Sequence, residues 1–409
     1  MSEGILQPTE QPQEQIRFID HPVFSDGFRV FFPLAALSAL ALILFWGLSL
    51  SGLISIEASL SPLALHRYDM IFGFLVAAMA GFLTTAVPSW SKTSPVTGWE
   101  LFGLGLLWIA GRLAFWASDW VPAWLTFSLH FLFLIALAAR ILPPLWTAKM
   151  RHLIWPVLLL AIAQGISVVG YVSDGIEISG SWILNFDTGL AMAEGAFAIM
   201  VLTALAPIST VIVNHALDQR DDGVKFIPRP PFRRAAMLCL GLYTLARMGQ
   251  ASDGLQGWLA LAASCSVLNI LQDWHMKGAL GTYFSKSLYL VYWFLAVGLA
   301  LQGLSLLELV PVEALVAGRH MLFIGGFSLA TLMVLIIAGT RHTGRSLATY
   351  PLFIASILTL VMACIARSVL PLVLPDIDWM MLAWICFALS FACYLGQITP
   401  WILAENVND

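Results

Sequence analysis

The chain has 409 residues, of which 59% are hydrophobic and only 11% charged, with a mean hydropathy of +0.86. A soluble domain carries roughly a quarter charged residues, so this composition excludes a soluble protein and indicates an integral membrane protein. The net charge of −4 provides no basic face, and we expect no nucleic-acid partner.

Long apolar runs dominate the chain. A hydrocarbon core of about 30 Å takes roughly 20 helical residues to cross, and no run has the short alternating pattern of a β-barrel strand. The sequence therefore predicts an all-α, polytopic helix bundle of about 12 transmembrane helices. The predicted spans are 30–51, 69–88, 98–117, 120–139, 153–171, 187–209, 233–250, 255–271, 287–305, 315–338, 347–370 and 379–401.

The predicted domain organisation is simple. A single transmembrane domain at 30–401 lies between an N-terminal tail at 1–29 and a C-terminal tail at 402–409. The connection near 210–232, rich in Asp, Pro and Arg, divides that domain into two six-helix halves. The first tail is polar and acidic, so we expect no cleavable signal peptide.

Lys and Arg predict the orientation, because cytoplasmic loops carry an excess of both. Fifteen of the twenty basic residues fall in the two tails or in loops that follow even-numbered spans. Both termini are therefore expected in the cytoplasm. The fifteen are Arg17, Arg29, Lys92, Arg140, Lys149, Arg151, Arg220, Lys225, Arg229, Arg233, Arg234, Lys277, Lys286, Arg341 and Arg345.

The other five basic residues are all arginines, and they lie in or beside apolar runs near the opposite face. Buried cations are costly in lipid and usually mark a functional site. Guanidinium groups match carboxylates, so these arginines are candidates for holding an anionic cofactor, haem propionates in particular. Pairing with carboxylates such as Glu194 or Asp187, or snorkelling to the interface, is the alternative. The five are Arg67, Arg112, Arg247, Arg319 and Arg367.

Two segments on that face carry a histidine beside an arginine. The second span opens with L-H-R-Y-D (65–69), where His66 and Asp69 lie one turn apart, an arrangement in which the carboxylate orients a ligating imidazole. The tenth span opens with G-R-H-M (318–321), which contains His320. Two histidines at one depth suit axial haem ligation, or one haem ligand and one copper ligand. A histidine wetted at the membrane interface is the competing interpretation of His66.

Three further residues are weaker candidates. His342 and Arg345 lie in T-R-H-T-G-R (340–345) at the cytoplasmic end of the tenth span, where they could hold an anionic group or lipid phosphate. A plain cytoplasmic turn explains them equally well. His130 lies in the middle of the fourth span and is more simply explained as a histidine bonded to a neighbouring helix than as a ligand.

Several segments resemble, in chain order, the NnrS family of bacterial inner-membrane proteins. They are F-R-V-F-F-P (28–33), H-R-Y-D-M-I-F-G-F (66–74), A-G-F-L-T-T-A-V-P-S-W (80–90), L-L-W-I-A-G-R-L-A (106–114), R-H-M-L-F-I-G-G (319–326) and R-H-T-G-R (341–345). The resemblance implies a twelve-helix protein that binds haem and copper and is linked to nitric oxide, nitrosative stress and denitrification. The resemblance also implies that His66 and His320 are the candidate metal ligands.

The chain also departs from the family pattern. The family's W-H-x-H-E reads L-H-R-Y-D here, which puts Tyr68 where the second histidine is usual and Asp69 at the acid. A family histidine of the ninth helix corresponds to Tyr289. Because tyrosine ligates haem iron but replaces imidazole poorly at copper, the resemblance favours haem over copper.

Two other functions are alternatives to a haem-binding protein. A secondary transporter for a small anion also fits twelve helices in two halves, although the candidate residues lie toward one face instead of the midplane. A haem–copper oxidase or nitric oxide reductase core needs about six membrane histidines for its metals, and only His66, His130 and His320 lie at a suitable depth. No electron-input domain is recognisable, so redox turnover would require an electron-transfer partner.

Overall fold

The computed structural model describes residues 18–54, 61–117, 119–173, 176–179, 182–218 and 223–407. Within these ranges the chain forms twelve long helices, one for each predicted span. They are α1 (Gly27–Leu50), α2 (Pro62–Ser91), α3 (Gly98–Trp116), α4 (Ala123–Thr147), α5 (Ile154–Val172), α6 (Phe186–Asp218), α7 (Pro230–Met248), α8 (Asp253–Ile270), α9 (Tyr283–Leu306), α10 (Glu313–His342), α11 (Pro351–Ser368) and α12 (Met380–Leu403).

Ten of these helices are both long enough and apolar enough to cross a membrane. The other two, α3 and α7, contain 19 residues each, or roughly 28 Å of helix. Charged residues make them more polar: Glu100 and Arg112 in α3, and three arginines in α7. The all-α, multi-pass membrane architecture predicted from the sequence is confirmed.

The surface agrees with contact to lipid. Large apolar side chains point outward along several helices, including Leu106, Leu113, Trp155, Leu238 and Leu358. A bilayer is the solvent in which such a surface is stable, because lipid tails make no demand for hydrogen bonds.

Helix starts follow local sequence. Ser61 accepts a hydrogen bond from the backbone N–H of Ala64 at 3.2 Å, and Pro62 occupies the first turn of α2. Thr282 and Ser285 form a reciprocal capping box at the start of α9. Such caps satisfy backbone groups that the first helical turn leaves without partners.

Helices α2 and α10 form the centre of the bundle. Within their most apolar windows 89% of α2 and 83% of α10 residues are buried, against 44% for α1 and 39% for α12. The first and last helices, α1 and α12, pack against each other, and α10 also contacts α1, α2 and α6. The two most buried helices are the ones that carry His66 and His320.

Each central helix contains a π-helical segment directly after its histidine turn. Met70–Leu75 in α2 follows Asp69, and Met321–Ser328 in α10 follows His320. A π-helical turn is rare and frequently occurs at functional sites. The hydropathy pattern does not reveal it, because residues on both sides are equally apolar.

Short elements complete the described chain. The 3₁₀ turns are Phe18–Asp20, Pro22–Phe24, Arg151–Leu153 and Leu271–Trp274, and Leu370–Val373 is a single helical turn. A small antiparallel hairpin, β1 (Ile176–Ser179) and β2 (Trp182–Leu184), precedes α6. The hydropathy pattern does not predict this hairpin.

At the other end of the bundle from His320, the start of α1 meets the end of α12. Arg29 is only 2% exposed. Its guanidinium donates to the carbonyl oxygens of Ile402 at 2.5 Å and Ala404 at 2.7 Å, and to Oδ1 of Asn406 at 2.7 Å. The contact satisfies carbonyl groups that the C-terminal end of a helix leaves open.

Candidate functional site: a cluster of arginines and histidines

His66 lies in the first turns of α2, with its ring stacked on Trp46 of α1. The ring centroids are 4.6 Å apart and the planes differ by 15°. The Nδ1 atom is buried and has no hydrogen-bond partner among the residues that the structure describes. Buried nitrogen atoms rarely remain unpaired, and each one requires an explanation such as a ligand.

His320 lies near the start of α10, within electrostatic range of His66. Its Nδ1 is 2.9 Å from the carbonyl oxygen of Val316. A carbonyl only accepts, so Nδ1 carries the proton and Nε2 keeps its lone pair. A histidine whose Nδ1–H is held by a backbone carbonyl is prepared for ligation through Nε2.

Four arginines from four helices join these histidines. Arg67 pairs with Asp187 of α6 at 2.6 Å, and Arg247 of α7 pairs with Glu194 of α6 at 2.8 Å. Arg319 lies within electrostatic range of Arg67 and Arg247, and Arg367 within range of both histidines. The arginine–histidine cluster consists of His66, Arg67, Asp187, Glu194, Arg247, Arg319, His320 and Arg367.

The cluster has an excess of positive charge. Asp187 and Glu194 neutralise two of its arginines. Within the described part of the chain Arg319 and Arg367 form neither an ion pair nor a hydrogen bond, although Glu194 lies within electrostatic range of Arg319 and Asp378 within range of Arg367. Pairing with a carboxylate, the alternative to holding an anionic cofactor, is observed for Arg67, Arg247 and Arg112. Arg319 and Arg367 have no ion-pair partner within the described residues.

Arg112 belongs to a separate buried group. Its Nη1 donates to Oδ1 of Asp69 at 2.7 Å, and Nε1 of Trp116 donates to Oδ2 of Asp69 at 2.6 Å. Both carboxylate oxygens are therefore engaged with α3. The expectation that Asp69 orients the His66 imidazole is wrong, since Nδ1 of His66 has no partner.

Tyr68 and His130 are bonded to each other. The Tyr68 hydroxyl is 2.7 Å from Nδ1 of His130, and Nε2 of His130 is 2.5 Å from the carbonyl oxygen of Gly111. Nε2 of Gln164, on α5, donates to the Tyr68 hydroxyl at 3.2 Å. His130 is thus bonded to neighbouring helices, the simpler of its two sequence-based interpretations.

The turn at 341–345 lies far from the cluster. His342 is 22 residues along α10 from His320, roughly 33 Å of helix. Its Nδ1 is 4.0 Å from Oδ2 of Asp26 and its ring lies 5.7 Å from that of Phe28. Arg345 stacks over Trp401 with 4.8 Å between the guanidinium carbon and the ring centroid. These residues contact both ends of the chain instead of the histidine pair.

Tyr289 also lies away from the cluster. Its hydroxyl is 3.1 Å from Nε2 of His275. Nine residues farther along α9, Gly298 packs against the backbone of Gly318, which precedes His320 by two residues. Tyr289 is therefore displaced from the histidine level by roughly 13 Å along the helix axis.

The donor set suits haem better than copper. Haem iron needs one or two axial ligands, and His66 and His320 each have a nitrogen without a protein partner. A protein copper site commonly uses three ligands. Within the described residues no three His, Cys, Asp or Glu side chains form a potential metal-binding group.

Sequence reasoning missed the partners of the candidate residues. Trp46, Trp116 and Gln164 all contact a predicted site residue, yet none was singled out. Gln164 offered the clearest signal, since an amide within the apolar run A-I-A-Q-G-I (161–166) needs a buried partner. The two tryptophans resemble the many others in the chain and gave no such signal.

A comparison with family models found a match over residues 22–405 to the family described as NnrS protein. A search of curated proteins found no match.

Proposed function

Because the chain belongs to the NnrS family, which its sequence matches over nearly the whole length, we propose that it is a haem-binding membrane protein that acts in the handling of nitric oxide. The main support is the placement of His66 and His320. The two lie within electrostatic range of each other on the two most buried helices, and each lies within about one turn of a π-helical segment.

In this proposal His66 and His320 ligate the iron. Arg319 and Arg367 hold the propionates, because their guanidinium groups have no carboxylate partner within the described chain. Arg67 and Arg247 fix Asp187 and Glu194 around them. We assign the propionates to Arg319 and Arg367 instead of Arg112, because Arg112 forms an ion pair with the buried Asp69. When bound, haem supplies an iron atom that binds nitric oxide and exchanges single electrons.

The proposal extends to the setting of the protein. The distribution of Lys and Arg supports a bacterial inner-membrane orientation with both termini in the cytoplasm. The cluster then lies toward the periplasmic face. Any redox turnover there would draw electrons from a separate partner protein. A role in denitrification or in protection from nitrosative stress follows from the family resemblance.

The first experiment is to measure haem content in detergent-purified protein by pyridine haemochrome, for wild type, His66→Ala and His320→Ala. We expect a Soret band in the wild type that shifts on reduction and again with nitric oxide. Each alanine variant should lose at least half of its haem, since each removes one axial ligand.

The matched control is His215→Ala, an exposed histidine near the end of α6, which should retain full haem content. Full occupancy in both His66→Ala and His320→Ala would overturn the ligand assignment. A wild type without haem, after expression with adequate haem supply, would favour the anion transporter.

A further inference from the structure

We infer that Tyr68 is a positioning residue that fixes the rotation of α2 about its axis. In that orientation His66 is the residue in the first turns of α2 that presents a free ligating nitrogen. The inference rests on the proposed function, in which His66 is a haem ligand. It is carried by a chain of hydrogen bonds, Gln164 to Tyr68 to His130 to Gly111, that links α2 to α3, α4 and α5.

Every proton in this chain has a fixed place. The Gly111 carbonyl only accepts, so Nε2 of His130 carries a hydrogen and donates it. Nδ1 of the same neutral ring is then an acceptor, and the Tyr68 hydroxyl donates to it. A lone pair of the phenol oxygen remains to accept from Nε2 of Gln164.

The chain lies in the protein interior. Tyr68 is 0%, His130 1% and Gln164 2% exposed. Because these side chains have almost no exposed surface, bulk solvent does not replace a lost hydrogen bond, and an unpaired polar group in an apolar interior costs several kcal/mol. The hydrogen-bond chain therefore has one stable arrangement, and it fixes the positions of the four helices α2 to α5 relative to one another.

The chain of hydrogen bonds leaves the residues near His66 poorly placed to act as metal ligands. The hydrogen of Tyr68 points at His130, and both nitrogens of His130 are occupied. Asp69, the next residue, uses both oxygens on Arg112 and Trp116. Of the four candidates His66, Tyr68, Asp69 and His130, only His66 has a buried polar atom without a partner among the described residues.

Helical geometry explains how Tyr68 acts on His66. At about 100° per residue, Tyr68 and Asp69 lie roughly 200° and 300° around α2 from His66. Both are fixed by helices α3 to α5, while His66 stacks on Trp46 of α1. Because Tyr68 and Asp69 fix two faces of this turn of α2, the direction in which His66 points is also fixed. Residues that orient a ligand in this way typically change metal affinity by about 10- to 100-fold when removed.

The test compares Tyr68→Phe with Tyr394→Phe. Both tyrosines are fully buried, but the hydroxyl of Tyr394 has no hydrogen-bond partner, so its removal is the matched control. We expect Tyr68→Phe to raise the dissociation constant for haem about 10-fold and to shift the g values of the ferric protein in electron paramagnetic resonance. Tyr394→Phe should change neither.

A second variant that keeps the Tyr68–His130 bond tests the inference even if Tyr68→Phe does not fold. Gln164→Met removes only the outermost donor and should shift the g values in the same direction by a smaller amount. Independently, ¹⁵N spectra of the histidines in haem-free wild type should show His130 protonated at Nε2 only.

Each outcome separates the two proposals. Unchanged haem affinity and g values in both Tyr68→Phe and Gln164→Met would overturn this inference and leave the haem proposal standing. If the wild type binds no haem, the proposed function falls and the positioning role falls with it. A His130 protonated at Nδ1 would overturn the hydrogen-bond chain itself.

Discussion

Asp69 and Arg112 form an ion pair with side chains only 4% and 10% exposed. Removing one partner of such a pair leaves an uncompensated charge where solvent cannot reach, which typically costs about 3–5 kcal/mol. We expect Arg112→Ala to lower the free energy of unfolding by that amount, measured by thermal or denaturant unfolding in detergent.

The control is Lys225→Ala, which breaks an ion pair of the same 2.7 Å length with Asp218, both side chains being 58% exposed. Exposed pairs contribute at most about 1 kcal/mol. Equal losses in Arg112→Ala and Lys225→Ala would show that the Asp69 carboxylate is not isolated from solvent in the way the structure indicates.

The sequence predicted the candidate site residues but not the residues with which they pair. His66, Arg67, Arg319 and His320 stand out because charged and imidazole groups in apolar runs are uncommon. The bonds that define their roles join residues far apart in the chain, such as Tyr68 to His130 and Arg247 to Glu194. One sequence carries no signal for which of several acids or histidines a given side chain meets.

Among the helices, the π-helical segment of α2 depends on a glycine. A Cβ added at Gly73 would lie 2.7 Å from Oδ1 of Asp69 and 3.1 Å from Oγ of Ser38. Because Asp69 is held by Arg112 and Trp116, the carboxylate cannot move freely away. We expect Gly73→Ala to destabilise the protein by about 1–3 kcal/mol and to lower its haem content.

Gly103→Ala provides the comparison in a neighbouring helix, where an added Cβ meets nothing within 4 Å. Alanine is the better helix former by roughly 1 kcal/mol, so this variant should be no less stable than wild type. A Gly73→Ala protein as stable as Gly103→Ala, with full haem content, would contradict the close packing of Asp69 on α2.

The twelve helices themselves were predictable, and their ends mostly agree within a few residues. The largest shifts are at the ends of α6, which reaches Asp218 instead of 209, and of α4, which reaches Thr147 instead of 139. Helix α2 begins at Pro62 instead of 69, because charged residues in its first turns lower the local hydropathy. The π-helical segments and the hairpin Ile176–Ser179/Trp182–Leu184 lay beyond prediction. Both depend on local backbone geometry that apolar composition does not specify.

For the whole molecule, orientation remains a prediction. Alkaline phosphatase fused after Leu309, between α9 and α10, should be active in the periplasm, while a green fluorescent protein fused after 409 should fluoresce in the cytoplasm. The reciprocal fusions serve as controls and should both be silent. The opposite pattern would invert the membrane side assigned to the arginine–histidine cluster.

The contact between Arg29 and the end of α12 also has a consequence for biosynthesis. Its donor and acceptor are separated by 373 residues, which a ribosome takes roughly 20–75 s to add. During that interval the first helix is already made while the carbonyl groups of Ile402 and Ala404 do not yet exist. The contact between α1 and α12 can therefore form only after α12 has been synthesised, and a chain that stopped before Ile402 would lack the carbonyl acceptors of Arg29.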